Sequence, residues 1–313
     1  MASISLITIW SGPLPRYLPL FLGTINANPN IRFVFISDSK KPNVIPQNMN
    51  WVERPFVRTV EVMGRRLGIN TRFYEPYKMC DLKPTFGISQ RDVIDNSDFW
   101  GHVDCDMVLG DLGAFLSEDV LRKNDIVSLR GRGFVHGPLT LYRNTDAINR
   151  LYERAGQWRQ TLSNPQYLGF DETGGWWPWK GQSRPPGTPE SFTDVVLRAS
   201  ETGEVRWYDE DHVKESRPHK GMRVRWTRCN GRETMVDENG QPIAYYHLLT
   251  AKSDPAFRMP AWSLDAFPDH FVVTERGVRA DHESHLALDI RWAIDRAQHR
   301  AQRVVRRLRP RGA

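Results

Sequence analysis

The apolar positions of this chain fall into short runs, and their spacing sets the first structural expectations. Residues 3–10 and Ile31–Ser37 are β-rich and bounded by turn residues, the pattern of buried strands. A helix-length segment, residues 17–27, lies between them, so the chain is expected to open β-α-β. Residues 59–67 and 76–83 look helical. Phe99–Val103 (FWGHV) reads as another buried strand and runs straight into Asp104-Cys105-Asp106. Residues 127–129, 139–142, 205–208, 224–227 and 243–248 carry further strand signals, with Asp237-Glu238-Asn239-Gly240 as a hairpin turn. Between residues 156 and 189 the pattern breaks down into Trp, Gly and Pro, including Gly174-Gly175-Trp176-Trp177-Pro178-Trp179. A loop that long in a compact domain is usually functional. The tryptophans and glycines of residues 169–189 suit a mobile loop on the acceptor side, which would close to exclude water.

The last stretch is of a different kind. Leu286, Ile290, Ile294, Ala297, Ala301, Val304 and Leu308 recur at three- and four-residue spacing with arginines between them, an amphipathic basic helix. Residues 291–313 hold eight Arg and one Asp, whereas the other 290 residues carry 35 basic and 36 acidic side chains. The net charge of +6 therefore belongs to the tail. Such a helix can pack on its own domain, lie on an anionic membrane or grip a polyanionic acceptor such as nucleic acid. Membrane attachment best explains stripe and arginines together. The expected division is a catalytic domain over 1–280 and a basic helical tail over 281–313.

Composition narrows the class. No run approaches the roughly 20 apolar residues that cross a bilayer, and the short apolar opening lacks the basic flank of a signal peptide. Three cysteines without C-x-x-C spacing point to neither a disulfide framework nor a zinc knuckle. The expected setting is cytoplasmic, with the tail on the inner face of the membrane.

A parallel sheet built from β-α-β units leaves its ligand crevice at the carboxyl ends of its strands, here marked by residues 10–13 and Asp38. Trp10 and Asp38 are thus candidates for donor contacts, and a turn or capping role is the competing reading for Asp38. Asp104 and Asp106, one residue apart at the end of an apolar strand, repel unless a cation lies between them. Hard oxygen donors of this kind suit Mg2+ or Mn2+ bridging to phosphate oxygens.

The linked motifs also carry a resemblance. Tyr77-Lys78-Met79-Cys80-Asp81-Leu82-Lys83-Pro84, then Asp98-Phe99-Trp100-Gly101-His102-Val103-Asp104-Cys105-Asp106, then Gly110-Asp111-Leu112 resembles a family of bacterial polysaccharide glycosyltransferases of the GT-A fold. The similarity extends to the opening of the chain, to Gly137-Pro138-Leu139-Thr140-Leu141-Tyr142-Arg143-Asn144 and to Tyr245-Tyr246-His247-Leu248. The resemblance implies an α/β, GT-A type fold with a mixed, mostly parallel sheet, a nucleotide-sugar donor, and Asp104 and Asp106 at the metal. His247 matches the late histidine that returns to the same ion, as in the more distant glycogenin-like enzymes. A neutral imidazole there could serve as ligand, or the ring could be structural. Lipid-linked glycan is the usual acceptor of that family.

Three further groups remain open in function. Asp81 between Lys78 and Lys83 could offer a carboxylate for sugar hydroxyls beside cations for phosphate, or the trio could be a solvated charge cluster. His136 departs from the family order, in which the histidine follows the glycine, so its place in the sugar pocket is an expectation from the neighbouring residues. Asp171 and Glu172 are candidates for the base that an inverting transferase needs; under retention they would only bind acceptor. A metal-dependent phosphohydrolase or nucleotidyltransferase, and a non-catalytic module that docks through the arginine helix, are the rival readings.

Overall fold

The computed structural model describes residues 2–71, 73, 75–94, 96–176, 185–215, 217–229, 232–280 and 294. The expected tail helix therefore lies outside the described residues, apart from Ile294, as do Trp177 and Trp179. The chain divides into two compact units. One comprises Met1–Leu14, Asn28–Cys105 and Leu112–Val213; the other comprises Pro15–Ala27, Asp106–Asp111 and Lys214–Ala313.

The first unit is organised by a seven-stranded sheet in the order Met49–Glu53, Ile31–Ser37, Ile4–Trp10, Phe99–Val103, Leu139–Arg143, Ile126–Ser128 and Trp207–Asp209. The first four strands are mutually parallel. Leu139–Arg143 runs against both its neighbours, and Trp207–Asp209 lies parallel to Ile126–Ser128. The sheet is thus mixed and mostly parallel, as expected. Its strands read as continuous apolar runs because both faces are covered. On one face Val34 and Ile36 join Ile7, Val60, Met63 and Leu67 in the main core. On the other, Phe35 stacks on Trp51 with centroids 4.4 Å apart.

Gly101 sits mid-strand because no side chain fits. A Cβ there would lie 2.5 Å from the Thr140 carbonyl oxygen and 2.8 Å from a Leu6 methyl. The helix Phe56–Leu67 buries Thr59, Val60, Met63, Gly64 and Leu67 on one face, and Gly68 ends it in the left-handed region at φ 63°. Burial of Val60, Met63 and Leu67 stabilises this helix on the core by about 1.5–3 kcal/mol per side chain. A helix over Phe192–Glu201 begins with a capping box between Ser191 and Asp194. The stretch expected to be structureless after residue 156 contains a helix over Trp158–Ser163, whose Trp158, Thr161 and Leu162 are buried.

Residues 76–83, expected to be helical, belong to a 3-10 run over Pro76–Thr85. Side chains three apart eclipse in that conformation. Lys78 and Asp81 consequently share one face.

In the second unit, Arg232–Val236, Arg223–Cys229, His270–Thr274 and Gly277–Ala280 form an antiparallel sheet. Trp226 is fully buried, stacks on Phe271 at 4.9 Å and donates its indole N–H to the Leu109 carbonyl at 2.9 Å. The Asp237–Gly240 turn follows Val236 as expected, closed by Gly240 N–H donating to the Asp237 carbonyl. Met107–Leu109 pairs antiparallel with Tyr245–His247, His247 facing Met107. Among the described residues no helix is long and apolar enough to cross a membrane.

Candidate active site

In the first unit the strand Phe99–Val103 delivers Asp104 to the carboxyl end of the parallel sheet, where the Asp104 N–H donates to the Pro138 carbonyl at 2.8 Å. Lys83 reaches the same place from the 3-10 run. Its Nζ lies 2.8 Å from Asp104 Oδ1 and 4.0 Å from Asp171 Oδ2, and it donates to the Gly137 carbonyl at 2.7 Å. Burial opposes the lysine charge, but Asp104 and then Asp171 outweigh it and hold its pKa well above the ordinary value. An ammonium shared by two carboxylates thus stands at the mouth of the sheet.

Asp171 is buried, and Tyr167 donates its hydroxyl to Oδ1 at 3.1 Å. Desolvation is the largest influence on this carboxyl and pushes its pKa up to about 6, against the pull of Lys83. Glu172 has a different task, accepting the Gly137 N–H at 3.0 Å. A Cβ at Gly137 would lie 2.7 Å from Glu172 Oε1 and 3.0 Å from Asp171 Oδ2, so glycine is required for this close approach.

His136 is buried and lies edge-on to Phe134, with centroids 5.7 Å apart. Its carbonyl accepts from His102 Nε2 at 3.2 Å and from the Thr140 hydroxyl at 2.8 Å. Burial, then the nearby Lys83, drive the His102 pKa well below its usual value, so the ring is neutral. The segment 136–138 is therefore clamped from the sheet side, and it presents Lys83, Asp104 and Glu172 with their backbone partners.

Lys78 and Asp81 overturn the solvated-cluster reading, because both are fully buried. Lys78 Nζ donates to Asp81 Oδ2 at 2.7 Å and to the carbonyls of Thr161 and Gln166 at 2.8 and 3.0 Å. Asp81 also accepts the N–H groups of Leu168 and Phe170 at 2.8 and 2.6 Å. These contacts anchor residues 161–170, the segment leading into Asp171. Desolvation lowers the Lys78 pKa, and Asp81 offsets it.

Asp38 closes a turn: it accepts the Ser11 hydroxyl at 2.5 Å and the Gly12 N–H at 2.8 Å, with Gly12 at φ 94°. The Trp10 indole donates to the Pro13 carbonyl at 3.1 Å. Both stand at the carboxyl end of their strands as expected, with these polar atoms turned to the local backbone and to Ser11.

In the second unit the register that faces His247 with Met107 brings His247 beside Asp106, and the Leu248 N–H donates to the Asp106 carbonyl at 2.9 Å. His247 Nε2 lies 3.1 Å from Asp106 Oδ2, and Nδ1 lies 2.7 Å from Glu215 Oε1. Burial disfavours the charged ring, but Asp106 and Glu215 prevail and raise its pKa to about 9. The ring stands between two carboxylates that favour its proton, and a metal ion bound through this nitrogen would have to displace that proton. Lys252 also reaches Asp106 Oδ2. Between His247 and Lys252, Leu249 adopts φ 39°, the single positive φ outside glycine among the described residues. Left-handed backbone in a leucine costs about 1–2 kcal/mol, and here it turns the chain so that Lys252 can come back to Asp106.

Glu215 and Lys252 were not singled out from the sequence. Nothing marks Glu215 there, whereas a lone lysine five residues beyond His247 could have raised Lys252. Asp104, Asp106 and His247 are of the right donor type for a hard divalent cation, and each carboxylate is already met by a protein cation. Among the described residues no three acidic, histidine or cysteine groups surround one point as a preformed metal cage.

The chain belongs to the Family of unknown function (DUF6625), whose model matches residues 6–279. No curated protein matches it. Among solved structures it is similar to the galactosyltransferase LgtC in complex with donor and acceptor sugar analogs, at 11% identity and TM-score 0.37, over 84% of this chain and 92% of that one. It is also similar to mouse xyloside xylosyltransferase 1 in its apo form, at 8% identity and TM-score 0.39, over 79% and 96% of the two chains. Likeness at this level assigns no residue of this chain a role.

Proposed function

We propose that the chain is a GT-A type glycosyltransferase that moves a sugar from a nucleoside-diphosphate sugar to a hydroxyl of a glycan or lipid-linked glycan, with Mn2+ or Mg2+. The observation that carries this reading is the Lys83 ammonium held between Asp104 and Asp171 at the carboxyl end of the parallel strands, where sheets of this kind bind ligands. The linked motifs around Asp81, Asp104 and Asp106 support the same reading.

Asp104 and Asp106, with His247 once deprotonated, are the residues that would hold the divalent cation. When bound, such a cation stabilises the negative charge that develops on a departing diphosphate. The protein's own residues do the rest. Lys83 balances Asp104 before the donor arrives and leaves cationic charge for its phosphates, and Lys252 balances Asp106. Asp171, ionised above about pH 6, takes the proton of the acceptor hydroxyl as it attacks. Tyr167 fixes the orientation of that carboxylate, and Glu172 holds the Gly137 turn.

The test is to incubate purified protein and Mn2+ with a panel of nucleotide sugars and plain nucleotides. Release of nucleoside diphosphate from one or more nucleotide sugars, and no turnover of plain nucleotides, is expected. Turnover of plain nucleotides instead would support the phosphohydrolase reading.

A further inference from the structure

Among the described Phe, Tyr and Trp side chains Tyr77 is the only one largely open to solvent, with 64% of its surface exposed. It lies at the start of the 3-10 run that carries Lys78, Asp81 and Lys83. Its ring meets Tyr167 edge-on, centroids 4.7 Å apart and planes at 70°. Tyr167 in turn donates its hydroxyl to Asp171. The edge-on contact fixes where the Tyr77 ring stands while leaving most of it uncovered. The uncovered part of the ring is thus an apolar surface held ready beside a buried carboxylate.

We infer that the open face of Tyr77 is a stacking platform for a pyranose ring of the acceptor glycan, forming a sugar subsite beside Asp171. The assignment to acceptor rests on the role proposed above for Asp171. A pyranose has one face of C–H groups and a rim of hydroxyls, so it can bury the apolar face on the phenol ring while a rim hydroxyl turns to the carboxylate. A flat, neutral ring suits this site better than a phosphate does, because the Tyr77–Tyr167 pair ends on the Asp171 carboxylate. Stacking needs the ring and not its hydroxyl. Tyr77→Phe should therefore keep the subsite and Tyr77→Ala should remove it.

The experiment is saturation-transfer NMR on the full chain with a panel of neutral hexose disaccharides, and separately with nucleoside diphosphates, for wild type, Tyr77→Ala and Tyr77→Phe. Melting curves confirm that each variant folds; an exposed side chain leaves little to lose. The expected result is saturation of pyranose C–H protons from at least one disaccharide, with affinity about tenfold weaker in Tyr77→Ala and within about twofold of wild type in Tyr77→Phe. No disaccharide signal in wild type, or an equal signal in Tyr77→Ala, overturns the proposal. So does a loss confined to the nucleotide. If the disaccharide signal depends on Tyr77 yet no nucleotide sugar is turned over, the subsite stands and the transferase reading fails.

Discussion

Lys83 Nζ lies 2.8 Å from Asp104 Oδ1, and the lysine side chain is only 8% exposed. The pair draws its strength from exclusion of water on the lysine side, while Asp104 remains one-third open. Removing one partner of a buried pair leaves the other's charge uncompensated. Lys83→Met should therefore destabilise the protein by about 3 kcal/mol, the low end of the range for fully buried pairs because Asp104 is partly solvated. It should also depress donor turnover at least tenfold, through lost phosphate attraction and a freed Asp171. Urea denaturation and nucleoside-diphosphate release read the two effects; a variant as stable as wild type would show that the pair is solvated.

The pair of Lys78 with Asp81 makes a stricter case, since both side chains are fully buried and 2.7 Å apart. Asp81→Ala leaves an ammonium in the core and orphans the N–H groups of Leu168 and Phe170, so a loss of about 3–5 kcal/mol is expected. A double variant with Lys78→Met should recover part of that loss. Recovery in a denaturation cycle would confirm direct coupling, and strict additivity would refute it.

These two lysines show what the sequence could and could not disclose. Ile4–Trp10, Ile31–Ser37 and Phe99–Val103 were legible because strands covered on both faces must be apolar throughout, and turn residues end them. Asp104 and Asp106 were legible as a like-charge pair placed just past such a strand. The burial of Lys78, Asp81 and Lys83 was not. Charges three and five apart look like a solvated helix face, and the partners that bury them, Thr161, Gln166, Leu168, Phe170 and Asp171, lie about 80 to 90 residues away. For the same reason the sequence did not reveal that Glu215 would meet His247, 32 residues later.

Asp171 gives a pH dependence with a definite sign. Its pKa of about 6 exceeds the ordinary 3.8, so the folded state binds this proton more tightly than the unfolded state. The stabilising effect of that proton is full below about pH 4 and is lost as pH rises through 6. At pH 8 Asp171→Asn should therefore be more stable than wild type by roughly 3 kcal/mol, and at pH 3.5 no more stable. Catalysis runs the other way, because only the ionised carboxyl accepts a proton. Turnover should rise through pH 6, and Asp171→Asn should lack both the limb and most of the rate if transfer inverts the anomeric centre. Thermal melts at the two pH values and a pH–rate profile decide this; a flat profile from pH 5 to 7 would remove Asp171 as the base.

The divalent cation is the remaining test of the site, and it bears on Asp106. This carboxylate is nearly sealed from solvent, with His247 and Lys252 against one oxygen, and its pKa falls well below the ordinary carboxylate value despite the opposing effect of burial. It is therefore ionised at any working pH and is available to a cation that can displace Lys252. Asp106→Asn keeps the shape and removes the charge. Turnover should fall by roughly 100-fold or more, the scale seen when a group that stabilises developing negative charge is lost. Chelation of divalent ions should abolish wild-type turnover, and added Mn2+ should restore it. In Asp106→Asn, Mn2+ should restore little even at high concentration, because a charged donor and not merely occupancy is missing. Wild-type turnover that persists after exhaustive chelation would leave Asp104 with Lys83 and Asp106 with Lys252, each carboxylate paired to a protein cation. The two aspartates would then serve to hold those lysines in place and not to bind metal.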